Sequence, residues 1–140
     1  MLTFVLGPSG SGKTNWLIQE ANEEKRAGNG NIVFVDSDNA QIFSLDHDVR
    51  LIDAHEFGVD NLDRFEGFLG GIIASDYDIE KLYLDGIYDL IALDKALPDL
   101  IPRLRRLSDR NNVRIYMGLD RKKEDFPPDA DIEVVELTQE

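Results

Sequence analysis

Residues 2 to 21 read LTFVLGPSGSGKTNWLIQEA, and this stretch decides how the chain begins to fold. Its first five residues form a short apolar run typical of a buried strand, and residues 15–21 are typical of a helix. Between the two, residues 7–14 match the pattern G-x-x-x-x-G-K-[ST] without a gap. A strand, a glycine-rich turn and a helix in this order are the context in which that pattern has a physical meaning.

The pattern predicts a loop that wraps phosphate groups with backbone N–H groups. Side chains at Gly7, Gly10 or Gly12 would obstruct that close approach. We expect Lys13 to reach the β- and γ-phosphates as a point charge and Thr14 to offer its hydroxyl to Mg²⁺. The helix that follows turns its positive end toward the anion. The expected nucleotide-binding residues are Gly7, Pro8, Ser9, Gly10, Ser11, Gly12, Lys13 and Thr14.

A dinucleotide-binding loop does not fit the same residues. Its fingerprint, G-x-G-x-x-G, fails because Gly10-Ser11-Gly12 is followed by Lys13-Thr14-Asn15. The guanine-reading element N-K-x-D is not visible in the sequence either, so ATP is favoured while other nucleoside triphosphates stay open. The expected cofactors are therefore ATP, or another nucleoside triphosphate, and Mg²⁺.

The length of 140 residues fits one nucleotide-binding domain over residues 1–140. The chain has 28 acidic and 15 basic residues and a net charge of −13, which argues against nucleic acid or anionic lipid as a partner. Five arginines between positions 103 and 114 are better explained as a solvated helix face than as a basic stripe. A protein partner or self-association stays open.

The absence of cysteine excludes disulfides, thiolate metal sites and a cysteine nucleophile. It favours a reducing compartment. The sequence has no run of about 18 apolar residues and shows no charged leader with a cleavage site. We therefore expect a cytoplasmic protein that does not cross a membrane.

Strand-like and helix-like segments alternate along the chain, which predicts an α/β fold with a mostly parallel sheet flanked by helices in three layers. We predict strands at 2–6, 31–36, 49–53, 81–85, 113–119 and 132–137, and helices at 13–27, about 61–74, and 98–110. Proline at 98 and 102 predicts a break or kink. Gly70 and Gly71 predict close packing of the second helix against the sheet. The loop at 120–131 is a candidate mobile flap.

A carboxylate that serves Mg²⁺ is expected at the end of a neighbouring strand. Asp85, which closes the apolar run LYLD, is the first candidate and is expected to act with Lys13 as the catalytic pair. Asp36 and Asp53 also close strands and compete for the role, although Asp often occurs simply where a strand enters a turn. Gly86 follows Asp85, where many P-loop ATPases carry a glutamate that polarises water. Asp36, Asp38, Glu56 or Asp89 could act as the base instead, and the sequence does not rank them. Vigorous hydrolysis is therefore not expected.

With these two motifs the chain resembles the P-loop NTPase superfamily over most of its length, through GPSGSGKT and LYLDG. It also resembles short bacterial ATP-binding proteins that are sometimes labelled twitching-motility ATPases, through IVFVDSD, VRLIDAHEFGVD and FEGFLGGIIASDYDIEKLYLDG. The resemblance implies the P-loop NTPase fold, with residues 7–14 and Asp85 at the site. It does not imply a role in motility.

Two shorter stretches resemble small-molecule kinases. Residues 118–137, GLDRKKEDFPPDADIEVVEL, are similar to the closing segment of thymidine kinases, and DSDNAQ is similar to a turn of adenylylsulfate kinases. Three functions stay open at this stage. They are a Mg-dependent nucleotide-binding protein with slow or switch-like NTPase activity, a phosphotransferase acting on a small molecule or nucleoside, and a non-enzymatic, nucleotide-dependent interaction module.

Overall fold

A computed structural model describes residues 1–28, 30–38, 40, 43–127 and 131–138 of the chain. Its strands are β1 (Leu2–Leu6), β2 (Asn31–Asp36), β3 (Arg50–Asp53), β4 (Ile79–Leu84), β5 (Arg114–Leu119) and β6 (Glu133–Glu136). Its helices are α1 (Lys13–Arg26), α2 (Leu62–Ser75) and α3 (Leu93–Asn111). Short 3-10 turns cover His55–Phe57, Ile87–Asp89 and Lys123–Asp125.

Within the described residues the six strands form one parallel sheet in the order β3-β2-β4-β5-β1-β6. The expected α/β class with a parallel sheet is confirmed. Leu6 at the end of β1 pairs with Leu119 of β5, and Leu84 of β4 pairs with Met117 of β5. The carboxyl ends of β1, β5 and β4 therefore lie side by side at one edge of the sheet. This arrangement brings Thr14, which follows β1, near Asp85, which follows β4, although the two residues are 71 positions apart in the chain.

Alternating side chains along each strand build two apolar cores, one on each face of the sheet. On β1, Phe4 belongs to the core under α2 and α3, whereas Val5 belongs to the core under α1. Buried Leu17 and Ala21 fix α1 on its face of the sheet. The result is a helix layer on each side of the sheet, an arrangement compatible with a three-layer α/β fold.

The third helix differs from the prediction, because α3 begins at Leu93 and runs without interruption through Pro98 and Pro102. The expected break is therefore wrong, while the alternative of a kink stays a prediction. A proline inside a helix removes one backbone hydrogen bond and costs about 3 kcal/mol. Burial of one apolar stripe offsets that cost, since packing rather than propensity stabilises most helices. The stripe consists of Leu93, Leu97, Leu100, Ile101 and Leu104.

The second helix has its expected apolar side, with Phe65 and Leu69 fully buried. The close packing expected at Gly70 and Gly71 is wrong. Beyond the neighbouring backbone of its own helix, a Cβ built at either glycine would meet no described atom within 4 Å. Gly71 instead lines a groove of about 720 Å³ between α2 and the edge strand β3.

Elsewhere the predicted element boundaries fall within two residues of the observed ones. Parts of the turns expected around Asn29, Asn39 and Pro128 lie outside the described residues, and so does part of the candidate flap at 120–131. Two arginines of α3 pair with carboxylates: Arg103 lies 2.6 Å from Asp63, and Arg105 lies 3.3 Å from Asp131. Among the described helices, none is both long and apolar enough to cross a membrane.

Candidate nucleotide-binding site

Residues 7–12 form the loop that connects β1 to α1, and the motif ends in Lys13 and Thr14, the first two residues of α1. Gly10 and Gly12 adopt positive φ angles of 82° and 94°, a backbone conformation that L side chains rarely adopt. A Cβ at Gly12 would meet no described atom within 4 Å, so backbone conformation, rather than contact with the rest of the protein, requires glycine there. At Gly7 a Cβ would lie 2.4 Å from Ser11 Oγ and 2.8 Å from the carbonyl oxygen of Leu137.

The first turn of α1 leaves its backbone N–H groups available. Gly12 is the N-cap residue, and within the described chain no side chain caps this helix. The first turn also carries no acidic residue. Unpaired N–H groups and the positive end of the helix dipole make such a terminus favourable for an anion.

Lys13 lies beneath this loop and is only 5% exposed. Its Nζ donates to the carbonyl oxygens of Gly7 and Pro8, at 2.8 and 3.0 Å. The same atom lies 2.6 Å from Asp120 Oδ1. A buried ammonium group is therefore held directly under the loop by three oxygens, at the position where the sequence motif predicts phosphate contacts.

Thr14 and Asp85 are joined by a hydrogen bond, with Thr14 Oγ1 donating to Asp85 Oδ2 over 2.8 Å. Asp85 is 4% exposed and follows β4 directly. Burial raises the pKa of Asp85 above its ordinary value, while the hydrogen bonds from Thr14 and the Gly86 N–H and the charge of Lys13 oppose that rise. The sequence candidates Thr14 and Asp85 thus meet as a hydroxyl and a carboxylate beside the loop.

Asp36 is a second buried carboxylate at the same edge of the sheet, 5% exposed. Its Oδ1 accepts a 2.7 Å hydrogen bond from the Ser37 N–H. Burial raises the pKa of Asp36 to about 7, and the charge of Asp85 adds to the rise. Asp36, Thr14 and Asp85 line one small cavity of about 170 Å³.

The backbone conformation at position 86 disfavours a glutamate directly after Asp85. Gly86 adopts a φ of 68°, and a Cβ there would lie 2.5 Å from Ser37 Oγ and 3.2 Å from Asp36 Oδ1. A side chain would need both an unfavourable backbone angle and displacement of its neighbours. The turn that brings Asp85 beside Thr14 therefore excludes a carboxylate at the next position.

The other acidic candidates have local contacts. Asp53 Oδ1 accepts from the His55 N–H at 3.0 Å, and Asp38 Oδ1 accepts from the Ala40 N–H at 2.8 Å. Both are Asx-type contacts that stabilise turns. The 170 Å³ cavity is lined by Asp38 and Asp89, whereas the separate groove beside α2 is lined by Asp53 and Glu56.

Sequence reasoning missed Asp120 and Tyr88. Asp120 follows β5, the strand that lies between β1 and β4. Tyr88 lines both the 170 Å³ cavity and a neighbouring one of about 340 Å³ that contains Lys13 and Thr14. Burial raises the pKa of Tyr88 to about 12, and Asp120 is the first of four nearby carboxylates that add to the rise. Asp120 directly follows a predicted strand, as Asp85 does, and this position could have marked it as a candidate. The sequence interpretation assigned it to a mobile flap at residues 120–131 instead.

A further groove of about 480 Å³ lies on the other side of the loop, next to β6. Gly7 and Pro8 line it together with Asp120 and Lys122. Arg121 also lines the groove, but its guanidinium bonds to Asp94 at the start of α3. Its second contact is a 2.8 Å hydrogen bond to the carbonyl oxygen of Asp120.

Protein-family models and curated protein sequences were both compared with this chain, and neither comparison gave a match. The resemblances noted from the sequence motifs therefore stay expectations.

Proposed function

We propose that this chain is a cytoplasmic P-loop protein that binds a nucleotide, with ATP favoured, in a magnesium-dependent manner, and that it hydrolyses the nucleotide slowly or uses it as a switch. One observation carries the proposal: Thr14, the last residue of the motif, donates a hydrogen bond to Asp85, which directly follows β4, and the neighbouring Lys13 is buried. A glycine turn that matched the motif by chance would not need a buried lysine or a carboxylate partner for its threonine.

The loop and the first turn of α1 would hold the phosphates. Their backbone N–H groups supply neutral donors, and the Lys13 ammonium supplies a positive charge. On phosphate binding, the phosphate oxygens would replace some of the three oxygens that now surround Lys13 Nζ. The 480 Å³ groove beside Gly7 and Pro8 has the size of a small-molecule pocket and offers room for the base.

The oxygen donors present fit Mg²⁺ when phosphates complete the coordination shell. Thr14 Oγ1 and Asp85 Oδ2 are hard oxygen ligands of the type Mg²⁺ prefers. Among the described residues, no group of three or more His, Asp or Glu side chains is arranged to hold a metal ion. Because Mg²⁺ binds through one or two protein oxygens plus phosphates and water, a two-residue donor set matches that mode.

Slow turnover is proposed because the position after Asp85 is held by a glycine of positive φ. Asp36 is the best-placed remaining base, with a pKa of about 7 and a place in the same cavity as Thr14 and Asp85. A catalytic base works best when its pKa lies near the working pH. The cavity of about 170 Å³ is smaller than ordinary ligand pockets, which favours water over a metabolite as the attacking group.

A phosphotransferase is the second candidate function, and the raised pKa of Asp36 is the observation that favours it. A carboxylate of raised pKa could take the proton from an acceptor hydroxyl as well as from water. A non-enzymatic module that binds nucleotide and changes its interaction with a protein partner is the third candidate.

Thermal unfolding with and without Mg·ATP tests the binding proposal. We expect Mg·ATP to raise the melting temperature of the wild type and of Lys25→Ala, but not of Lys13→Ala. Lys25 is a suitable control because it lies near the far end of α1, about 18 Å from Lys13 along the helix. Equal stabilisation of all three proteins would contradict a role for Lys13.

Phosphate release and γ-phosphate transfer then separate the three functions. Slow release that depends on Lys13 supports the hydrolase, and binding without release supports the switch or interaction module. Transfer of radiolabel from γ-labelled ATP to a compound in a metabolite panel supports the phosphotransferase. Loss of binding in Lys13→Ala without any loss of release would show that a contaminant causes the release.

A further inference from the structure

Asp120 occupies a contact of Lys13 that sequence reasoning did not anticipate. Its Oδ1 lies 2.6 Å from Lys13 Nζ, and this carboxylate oxygen is buried even though the whole side chain is 34% exposed. The contact arises from strand order, because β5 lies between β1 and β4 and its carboxyl end faces the loop. A protein carboxylate therefore lies against the lysine that is expected to contact phosphate.

The ammonium group of Lys13 has three donors and no acceptor. The carbonyl oxygens of Gly7 and Pro8 accept two hydrogen bonds, and Asp120 Oδ1 lies against the ammonium as an ion pair that does not meet hydrogen-bond geometry. An arriving phosphate oxygen needs a contact with the same ammonium. It must therefore either displace Asp120 or share the lysine with it.

If the phosphate shares Lys13 with Asp120, two anionic groups lie beside one ammonium group. Further carboxylates lie near this contact, because Asp120, Asp85, Asp89 and Asp36 each add to the rise in the pKa of Tyr88 that burial causes. Arg121 follows Asp120 in the chain and carries the opposite charge. Its guanidinium donates to Asp94 and to the backbone carbonyl of Asp120, not to the Asp120 carboxylate. A metal-free triphosphate meets these carboxylates with its full negative charge, whereas Mg²⁺ lowers that charge.

We propose that Asp120 is a specificity-determining residue that competes with the terminal phosphate for Lys13 and so makes the site prefer the magnesium complex of a nucleotide over the metal-free nucleotide. This inference rests on the proposed nucleotide binding at residues 7–14. It goes beyond that proposal because it assigns the magnesium preference to a carboxylate outside the motif.

Affinities of Asp120→Asn for ATP with Mg²⁺ and for ATP with EDTA, measured by titration calorimetry, test the inference. We expect the variant to bind metal-free ATP about tenfold more tightly than the wild type, with a smaller gain for Mg·ATP. The matched control is Asp99→Asn, which removes one charge from an exposed position on α3, outside the lining of the grooves described here. This control should leave the ratio of the two affinities at the wild-type value.

An equal change in both affinities, or the same change in Asp99→Asn, would overturn the inference and assign the effect to general charge. Asp120→Glu should retain a ratio close to the wild type, which a purely structural role would not require. Melting of the nucleotide-free variants checks their folding.

Different results would contradict the inference about Asp120 and the nucleotide-binding proposal on which it rests. If Mg·ATP binds through Lys13 and Asp120→Asn leaves the ratio unchanged, the inference alone is wrong. If neither the wild type nor Asp120→Asn binds ATP in either condition, the proposed function is wrong as well.

Discussion

Thr14 Oγ1 donates a 2.8 Å hydrogen bond to Asp85 Oδ2, and the two residues are 71 positions apart in the chain. One begins the helix after β1, and the other follows β4, with β5 between the two strands. The hydrogen bond partly offsets the cost of burying the Asp85 carboxylate, since hydrogen bonds to the charged form lower a carboxyl pKa. Folding thus brings together the two oxygen groups that the proposed magnesium site requires.

Thr14→Val should weaken both the fold and the magnesium response. The substitution keeps the shape of the side chain but removes the donor to buried Asp85, which costs about 1–3 kcal/mol of unfolding free energy. We also expect ATP binding to lose its dependence on Mg²⁺. Urea unfolding and titration calorimetry measure the two effects, and Thr14→Ser, which keeps the hydroxyl, is the control. A variant that keeps the wild-type magnesium response would remove Thr14 from the site.

Asp85→Asn should move stability and binding in opposite directions. The amide oxygen can still accept from Thr14, while the cost of burying a charge disappears, so the nucleotide-free protein should unfold at higher urea. The affinity for ATP in the presence of Mg²⁺ should fall about 10- to 100-fold, because a carboxylate partner of the metal is lost. If the affinity is unchanged, the carboxylate role passes to Asp36.

The raised pKa of Asp36 predicts that the stability of the nucleotide-free protein depends on pH. Its folded-state pKa of about 7 lies above the unfolded value of about 3.9. Its stabilising contribution is therefore fully present below about pH 4 and is lost as the pH rises through 7. At about 1.4 kcal/mol per pKa unit, this shift sets an upper bound of about 4 kcal/mol on the loss.

Asp36→Asn removes this titration and keeps an oxygen to accept from Ser37. Its unfolding free energy should exceed that of the wild type at pH 8, and the excess should shrink as the pH approaches 4. Urea titrations across that pH range measure the difference. An excess that does not vary with pH would assign the effect to packing.

Gly71→Ala should stabilise the protein by about 0.5–1 kcal/mol, because alanine reduces the entropy cost of ordering the helix and the added methyl group meets open space. Gly28→Ala is the contrasting control, since Gly28 has a φ of 79° that alanine rarely adopts. Thermal unfolding should show opposite shifts for the two variants. Destabilisation by Gly71→Ala would show that the groove beside α2 is tighter than the structure indicates.

Local pattern was enough to predict the loop at residues 7–14, the strand before it and the helix after it. The apolar run that ends in Asp85 likewise predicted a strand-end carboxylate near the loop. These predictions succeed because strand periodicity and glycine spacing are properties of short segments.

Features that depend on distant parts of the chain were not predictable. Asp120 faces Lys13 because β5 lies between β1 and β4, and strand order follows from non-local packing. Similarly, α3 continues through Pro98 because its buried stripe outweighs the cost of proline. Gly71 shows the reverse case, in which a residue that suggests close packing instead lines an open groove.

Calorimetric titration of Mg·ATP into the wild type, Lys13→Ala and Lys25→Ala tests the central claim most directly. The account predicts binding to the wild type and to Lys25→Ala with the same affinity, loss of that binding in Lys13→Ala, and weaker binding to the wild type when EDTA replaces Mg²⁺. Equal binding by Lys13→Ala and the wild type, or no binding by the wild type, would contradict the claim that residues 7–14 form a magnesium-dependent nucleotide site.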